Sequence, residues 1–181
     1  MLALNFTPFP ALTTARFILR ALALTDDNEI AALRSDERVN KFLHRPATTT
    51  IEEARQFIKK IIDAITRNES LYWVITSKDD NQLMGTICYW NISIEDDLAE
   101  IGYELHPDFQ GKGVMQEVIA KVISYGVEEM RLKVITAFPF AGNDKSIKLL
   151  EKNDFKIDKD LKVIAEEGED IADILCYSRK A

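Results

Sequence analysis

Between Ala99 and Met130 the apolar residues change their spacing, and the change happens across a turn that carries two glycines. From Ala99 to Leu105 (AEIGYEL) the pattern alternates. Ala99, Ile101, Tyr103 and Leu105 share one face, and Glu100, Gly102 and Glu104 share the other, as in a β-strand. Pro107 stops the strand, and QGKG (110–113) follows. From Val114 to about Met130 the apolar residues Val114, Val118, Ile119, Val122, Ile123 and Val127 recur at helical spacing. A strand that feeds a helix through a glycine turn demands a mixed α/β fold. It also creates a specific local chemistry. The first amides of a helix lack intrahelical partners and carry the positive end of its dipole. Glycines let an anion approach those amides closely. Lys112 adds a movable positive charge.

A nucleotide phosphate loop is disfavoured, because Lys112 precedes the second glycine and no Ser or Thr follows to bind magnesium. The turn is not a dinucleotide fingerprint either. Gly111 and Gly113 fit, but no third glycine follows at the required spacing. From the turn alone, a pyrophosphate site and an ordinary way into a helix both stay open.

The rest of the chain continues the α/β pattern. RFILR (16–20) reads as a strand, and Asp26 to about Asn40 as a helix. A firmer helix spans Ile51 to about Thr66, with Thr50 and Glu53 forming a capping box ahead of its apolar stripe. Tyr72–Thr76 and Leu83–Ile92 read as strands of a hairpin, with Gly85 as a bulge. Val134–Phe138 is a further strand, Asn143–Asn153 a short helix, and the chain finishes with one or two strands that include Asp173–Ser178. With no internal repeat and no linker, the 181 residues read as one domain.

Bulk properties exclude several classes. A net charge of -7 sets the chain against general nucleic-acid binding, which depends on neutralising phosphates. No apolar run reaches the ~18 residues of a membrane span, and the first residues lack the layout of a signal peptide. The expected location is the cytoplasm. Cys88 and Cys176 are expected to be buried, reduced thiols; with only His44 and His106 beside them they form no metal-ligand cluster.

Three segments, in order, carry a resemblance. LTTARFILR (12–20), AEIGYELHPDFQGKGVMQEVI (99–119) and NDKSIKLLEKNDF (143–155) are similar to the opening strand, the coenzyme A strand–loop–helix and the later Asn-x-x-Ser helix of the GNAT superfamily of N-acetyltransferases, in its RimJ/RimL-type branch. Gln110, Gly113 and Met115 match the marked positions of the loop pattern Arg/Gln-x-x-Gly-x-Gly/Ala, with Met115 larger than the usual residue. Asp154 stands where that family usually has a helix-ending glycine.

The resemblance implies a twisted, mostly antiparallel mixed sheet, splayed between two central strands and flanked by helices. It implies a single N-acetyltransferase domain over residues 1–181 and acetyl-CoA as cosubstrate, with no metal. The pantetheine arm would run along the backbone of Tyr103, Glu104 and Leu105, like an added strand. The pyrophosphate would meet the turn of Gln110, Gly111, Lys112, Gly113, Val114, Met115 and Gln116. Asn143 would bond the pantetheine arm.

Acetyl transfer to an amine needs a base, because an amine is mostly protonated at neutral pH. The Ala-Glu-Ile setting of Glu100 resembles the general-base position of histone acetyltransferases in the superfamily. Its simpler reading, with Glu104, is a solvated strand face. Ser146 maps to the candidate acid that protonates departing coenzyme A, and Tyr103 is the alternative. The implied acceptor is a primary amine: a protein N-terminal α-amine, including that of a ribosomal protein, or a small molecule. A homodimer fits the same pattern. The rival reading is a coenzyme A-binding sensor or interaction module without turnover, which only Met115 and Asp154 favour.

Overall fold

The computed structural model of the protein describes residues 2–43, 47–48, 50–161 and 172–181. Eight strands form one sheet: β1 (Leu12–Thr13), β2 (Phe17–Ala21), β3 (Leu71–Ser77), β4 (Gly85–Ser93), β5 (Leu98–Leu105), β6 (Val134–Ala137), β7 (Lys156–Ile157) and β8 (Tyr177–Lys180). Their order is β1-β2-β3-β4-β5-β6-β8-β7. All neighbours are antiparallel except β5 and β6. A parallel pair needs a long crossover, and helix α4 (Val114–Glu128) supplies it. The other helices are α1 (Asp27–Ser35), α2 (Glu37–Asn40), α3 (Ile51–Thr66) and α5 (Asp144–Glu151).

The sheet parts at its centre. β5 pairs with β4 from Leu98 to Leu105, but with β6 only at Leu98–Glu100 against Val134–Thr136. Beyond Glu100, among the described residues, the β6-facing edge of β5 has no strand ladder. This is the splay that the resemblance implies.

Aromatic packing fixes α4 against the sheet. Trp73 is fully buried and meets Phe9, Tyr89 and Tyr125 edge-on, while its Nε1 donates to the Pro10 carbonyl at 2.7 Å. Tyr89 Oη donates to the Val122 carbonyl at 3.0 Å. Gly126 leaves the room for it, since a Cβ there would overlap the Tyr89 hydroxyl. With Val118, Ile119 and Val122 fully buried, the start of α4 is set by its packing.

Local signals locate most elements. Thr50 and Glu53 form the capping box, with Glu53 N–H donating to Thr50 Oγ1 at 3.2 Å and Thr50 N–H to Glu53 Oε2 at 3.0 Å. Four expectations are corrected. The helix read over Asp26–Asn40 breaks at Asp36, whose extended backbone and side chain cap α2 instead. Gly85 is not a bulge. A Cβ there would collide with the Glu104 carbonyl oxygen, and the irregular register lies between Trp90 and Ser93. The last strand begins at Tyr177, later than expected. Pro139, which has no N–H to offer a ladder, ends the regular pairing; Leu175 N–H bonds the Pro139 carbonyl at 2.9 Å and Phe140 makes an isolated bridge to Ile174. Cys88 and Cys176 are free thiols but only half-buried. His44 and the acidic run 166–170 lie outside the described residues.

Candidate active site

The turn ahead of α4 keeps the geometry its glycines suggest. Gly111 and Gly113 both adopt left-handed backbone, with φ of 74° and 73°. Side chains rarely tolerate this conformation. Gly113 is the N-cap of α4 and offers no capping side chain, so the first helical amides remain available to a ligand. An added Cβ on Gly111 would meet nothing within 4 Å, so the turn opens outward. Met115 and Val114 are buried in the core. The large side chain of Met115 therefore points away from the turn. Lys112 is exposed, with its Nζ 5.8 Å from the centroid of the Phe109 ring.

Two glutamines tie this turn to α5. Gln110 Nε2 donates to the Leu105 carbonyl at 3.1 Å, and Lys145 Nζ donates to Gln110 Oε1 at 3.2 Å. Gln116 Nε2 donates to Asn153 Oδ1 at 3.3 Å. α5 ends cleanly despite the missing glycine. Asp154 takes the left-handed conformation itself, with φ of 65°, and Phe155 N–H bonds the Leu150 carbonyl at 3.1 Å.

The two faces of β5 carry different chemistry. Tyr103 lies on the α5 side, where its hydroxyl is 2.7 Å from Ser146 Oγ. Asn143 caps α5, its Oδ1 accepting from Ser146 N–H at 3.2 Å. This cap holds Ser146 in the first turn. Burial pushes the Tyr103 phenol up to about 12, with the Ser146 hydrogen bond acting against it. The pair therefore keeps its protons at neutral pH.

The opposite face of β5 holds Glu100 and Glu104, about 13 Å apart along the strand. Burial pushes the Glu100 carboxyl up to about 7, against the hydrogen bonds from Asn91 and Trp90. Asn91 Nδ2 donates to Glu100 Oε2 at 3.0 Å. Asn91 reaches it from a left-handed backbone, φ of 46°, inside the irregular stretch of β4. Trp90, paired with Glu100 in register, is 47% exposed and forms a wall rather than core. Glu104 is engaged differently. Arg34 Nη1 stands 3.9 Å from its carboxylate, the Arg34 guanidinium lies 3.9 Å from the Phe57 ring centroid, and Arg34 Nε donates to Thr48 Oγ1 at 3.0 Å. Glu104 thus has a guanidinium close by, whereas Glu100 has the neutral donors Asn91 and Trp90 beside it. Cys88 lies against Gly102 with its Sγ 3.5 Å from that carbonyl; burial and the Glu104 and Glu100 carboxylates push its thiol up to about 12, away from the reactive thiolate form.

The expected residues thus fall into three groups: the turn, the Tyr103–Ser146–Asn143 cluster, and Glu100 across the strand. Sequence reasoning missed Asn91, Arg34 and the brace that Arg16 makes behind the turn. Each acts through a contact distant in sequence; only the Asn91 position, in a strand end rich in polar residues, carries a local hint. Among the described residues no cluster of His, Cys, Asp or Glu is arranged to hold a metal ion, and no helix is long and apolar enough to cross a membrane.

The family profile of the acetyltransferase (GNAT) domain matches residues 16–156. The chain is 34% identical over 148 residues to the uncharacterized N-acetyltransferase YoaA of Bacillus subtilis, covering 82% of this chain and 84% of that protein. Among solved structures, RimL, a ribosomal alpha-N-protein acetyltransferase in complex with coenzyme A, superposes with a TM-score of 0.83 at 20% identity, over 94% of this chain and 98% of RimL. The spermidine N-acetyltransferase of Vibrio cholerae, in complex with CoA and spermine, gives a TM-score of 0.77 at 21% identity, over 91% and 95% of the two chains.

Proposed function

This chain belongs to the GNAT acetyltransferase family, and from that premise we propose that it transfers acetyl directly from acetyl-CoA to a primary amine. The observation that carries the reading is the parting of β5 from β6 after Glu100. It leaves a strand edge for the pantetheine arm, leading to the glycine turn for the pyrophosphate, with Glu100 on one face and Tyr103–Ser146 on the other. The residues present fit the cosubstrate: both glycines are left-handed, Met115 is turned into the core, and the helix amides carry no capping side chain.

In this mechanism Glu100 takes the proton of the incoming ammonium, which frees the nitrogen lone pair to attack the thioester carbonyl. A carboxyl that titrates near neutrality suits that task. The tetrahedral intermediate collapses by breaking the carbon–sulfur bond, the leaving thiolate takes a proton from the Tyr103–Ser146 pair, and the pair and Glu100 return to their starting states as the acetylated nitrogen sheds its second proton and Glu100 gives up its own to solvent. Asn143 positions Ser146 and meets the arm. Direct transfer needs no thiol on the protein, in keeping with the protonated Cys88.

The acceptor is a primary amine of one of two kinds. One is a protein N-terminal α-amine, the class acted on by RimL. The other is a small amine, as for the spermidine enzyme. The sensor reading loses its support, because Met115 and Asp154 are both accommodated. The test is thermal unfolding with acetyl-CoA, with ATP as control, followed by thiol release across an amine panel. Acetyl-CoA at ~100 times its dissociation constant stabilises by about 2.7 kcal/mol. A shift with acetyl-CoA alone and amine-dependent thiol release support the reading. Equal shifts with ATP, or no shift, overturn it.

A further inference from the structure

One side chain outside the expected site touches the glycine turn from behind. Arg16, just ahead of β2, donates through Nη1 to the Lys112 carbonyl at 3.2 Å and through Nη2 to the Gly113 carbonyl at 3.3 Å. Its Nε donates to Glu117 Oε2 at 2.7 Å, and its backbone N–H donates to Glu117 Oε1 at 2.8 Å. One guanidinium thus holds both carbonyls of the turn and the first-turn carboxylate of α4.

The geometry of a trans peptide gives these contacts a direction. In each peptide unit the C=O and the following N–H point opposite ways. The carbonyls of Lys112 and Gly113 face Arg16, so the N–H groups of Gly113 and Val114 face away from it. A cation on a carbonyl polarises its peptide unit and strengthens the N–H as a donor. Arg16 therefore charges the donor side of the turn without standing where a ligand would stand.

Glu117 supplies the second half of the argument. It sits one turn into α4, at the end that attracts anions. Burial works against its ionisation, but hydrogen bonds from Thr14 and Arg16 hold its carboxyl down at about 2. It is therefore an anion beside an anion site, and Arg16 cancels it. As an isolated surface ion pair, with the arginine half-exposed, this contact would contribute little.

We infer that Arg16 is a positioning residue for the cosubstrate: it polarises the Gly113 and Val114 amides from behind and neutralises Glu117, so that the turn accepts a pyrophosphate. This rests on the acetyl-CoA reading above, and it concerns binding rather than the chemical step.

The experiment measures the CoA dissociation constant by calorimetry for wild type, Arg16→Gln, Glu117→Gln and the double variant, with folding checked by circular dichroism. Arg16→Gln weakens CoA by about tenfold. Glu117→Gln changes it by less than about threefold, because the repelling charge leaves while Arg16 stays on the carbonyls. The double variant binds more tightly than Arg16→Gln alone. A purely structural tie between Arg16 and Glu117 would give equal losses in both single variants and no recovery in the double. That outcome, or wild-type affinity in Arg16→Gln, overturns the inference while leaving the acetyl-CoA reading intact. If Arg16→Gln does not fold, Arg16→Met, which keeps the aliphatic stem and removes the charge, takes its place, and wild-type affinity there overturns the inference equally. Wild type that fails to bind CoA overturns the reading itself.

Discussion

The two faces of β5 are built in opposite ways. On the α4 and α5 side, one continuous stretch from Leu98 to Glu128 supplies the strand, the turn and the helix. Buried Trp73, Tyr89 and Val118 hold that stretch in place. On the other side the surroundings of Glu100 and Glu104 come from separate segments: Arg34 of α1, Thr48, Phe57 of α3, and Trp90 and Asn91 of β4. A common cosubstrate can be held by a local motif. The surroundings of Glu100 and Glu104, by contrast, are assembled from contacts distant in sequence.

This contrast can be broken by substitutions that should affect one half and spare the other. The largest effect is expected at the base. Glu100→Gln lowers kcat by about 100-fold while the acetyl-CoA dissociation constant stays within about twofold; a large loss of cosubstrate affinity in this variant would show that the two halves are not separable. Gly113→Val puts a β-branched residue at φ 73° and brings its side chain against the Arg16 guanidinium. It weakens acetyl-CoA by about tenfold or more, read by calorimetry, and unchanged affinity would remove the turn from the site.

Arg34→Met removes the cation beside Glu104 and the hydrogen bond to Thr48, and lowers unfolding stability by about 1–2 kcal/mol, read by denaturant titration. The same variant keeps its CoA affinity if the acceptor side is energetically separate from the turn. The smallest effect is expected from the hydroxyl pair. Tyr103→Phe and Ser146→Ala each slow turnover by about fivefold, and the double variant is no slower than the worse single, because the two linked hydroxyls pass the proton as one unit. Additive losses would mean that the two hydroxyls act independently.

The same contrast explains what could be read from the sequence. The alternation of AEIGYEL, the stop at Pro107 and the glycine turn are local patterns, and the structure follows them closely, as it does the capping box of Thr50 and Glu53. The splay and its neighbours came through resemblance, since no periodicity tells that β6 leaves β5 after Glu100. Asp36 defeated the long helix because an aspartate side chain can satisfy the amides of a new helix as well as sit within an old one. Gly85 reads as a bulge in the sequence, yet the irregular pairing falls between Trp90 and Ser93, and Gly85 lets two strands approach. Arg16 was visible only as part of a strand-like run; its partners lie about a hundred residues away. Glu100 and Glu104 looked equivalent by pattern. Their neighbours differ: Asn91 and Trp90 stand beside Glu100, and Arg34 beside Glu104.

The pH dependence of acetyl transfer tests the central claim most directly. It would be measured at saturating acetyl-CoA, with an amine from the panel, in wild type and in Glu100→Gln. A base must be deprotonated to act, and burial raises Glu100 to about 7. The wild-type kcat should therefore rise about tenfold per pH unit below that value and level off above it, whereas the residual rate of Glu100→Gln should show no bend there. The same bend at the same rate in Glu100→Gln would contradict the account, and would move the proton transfer to another group or to water.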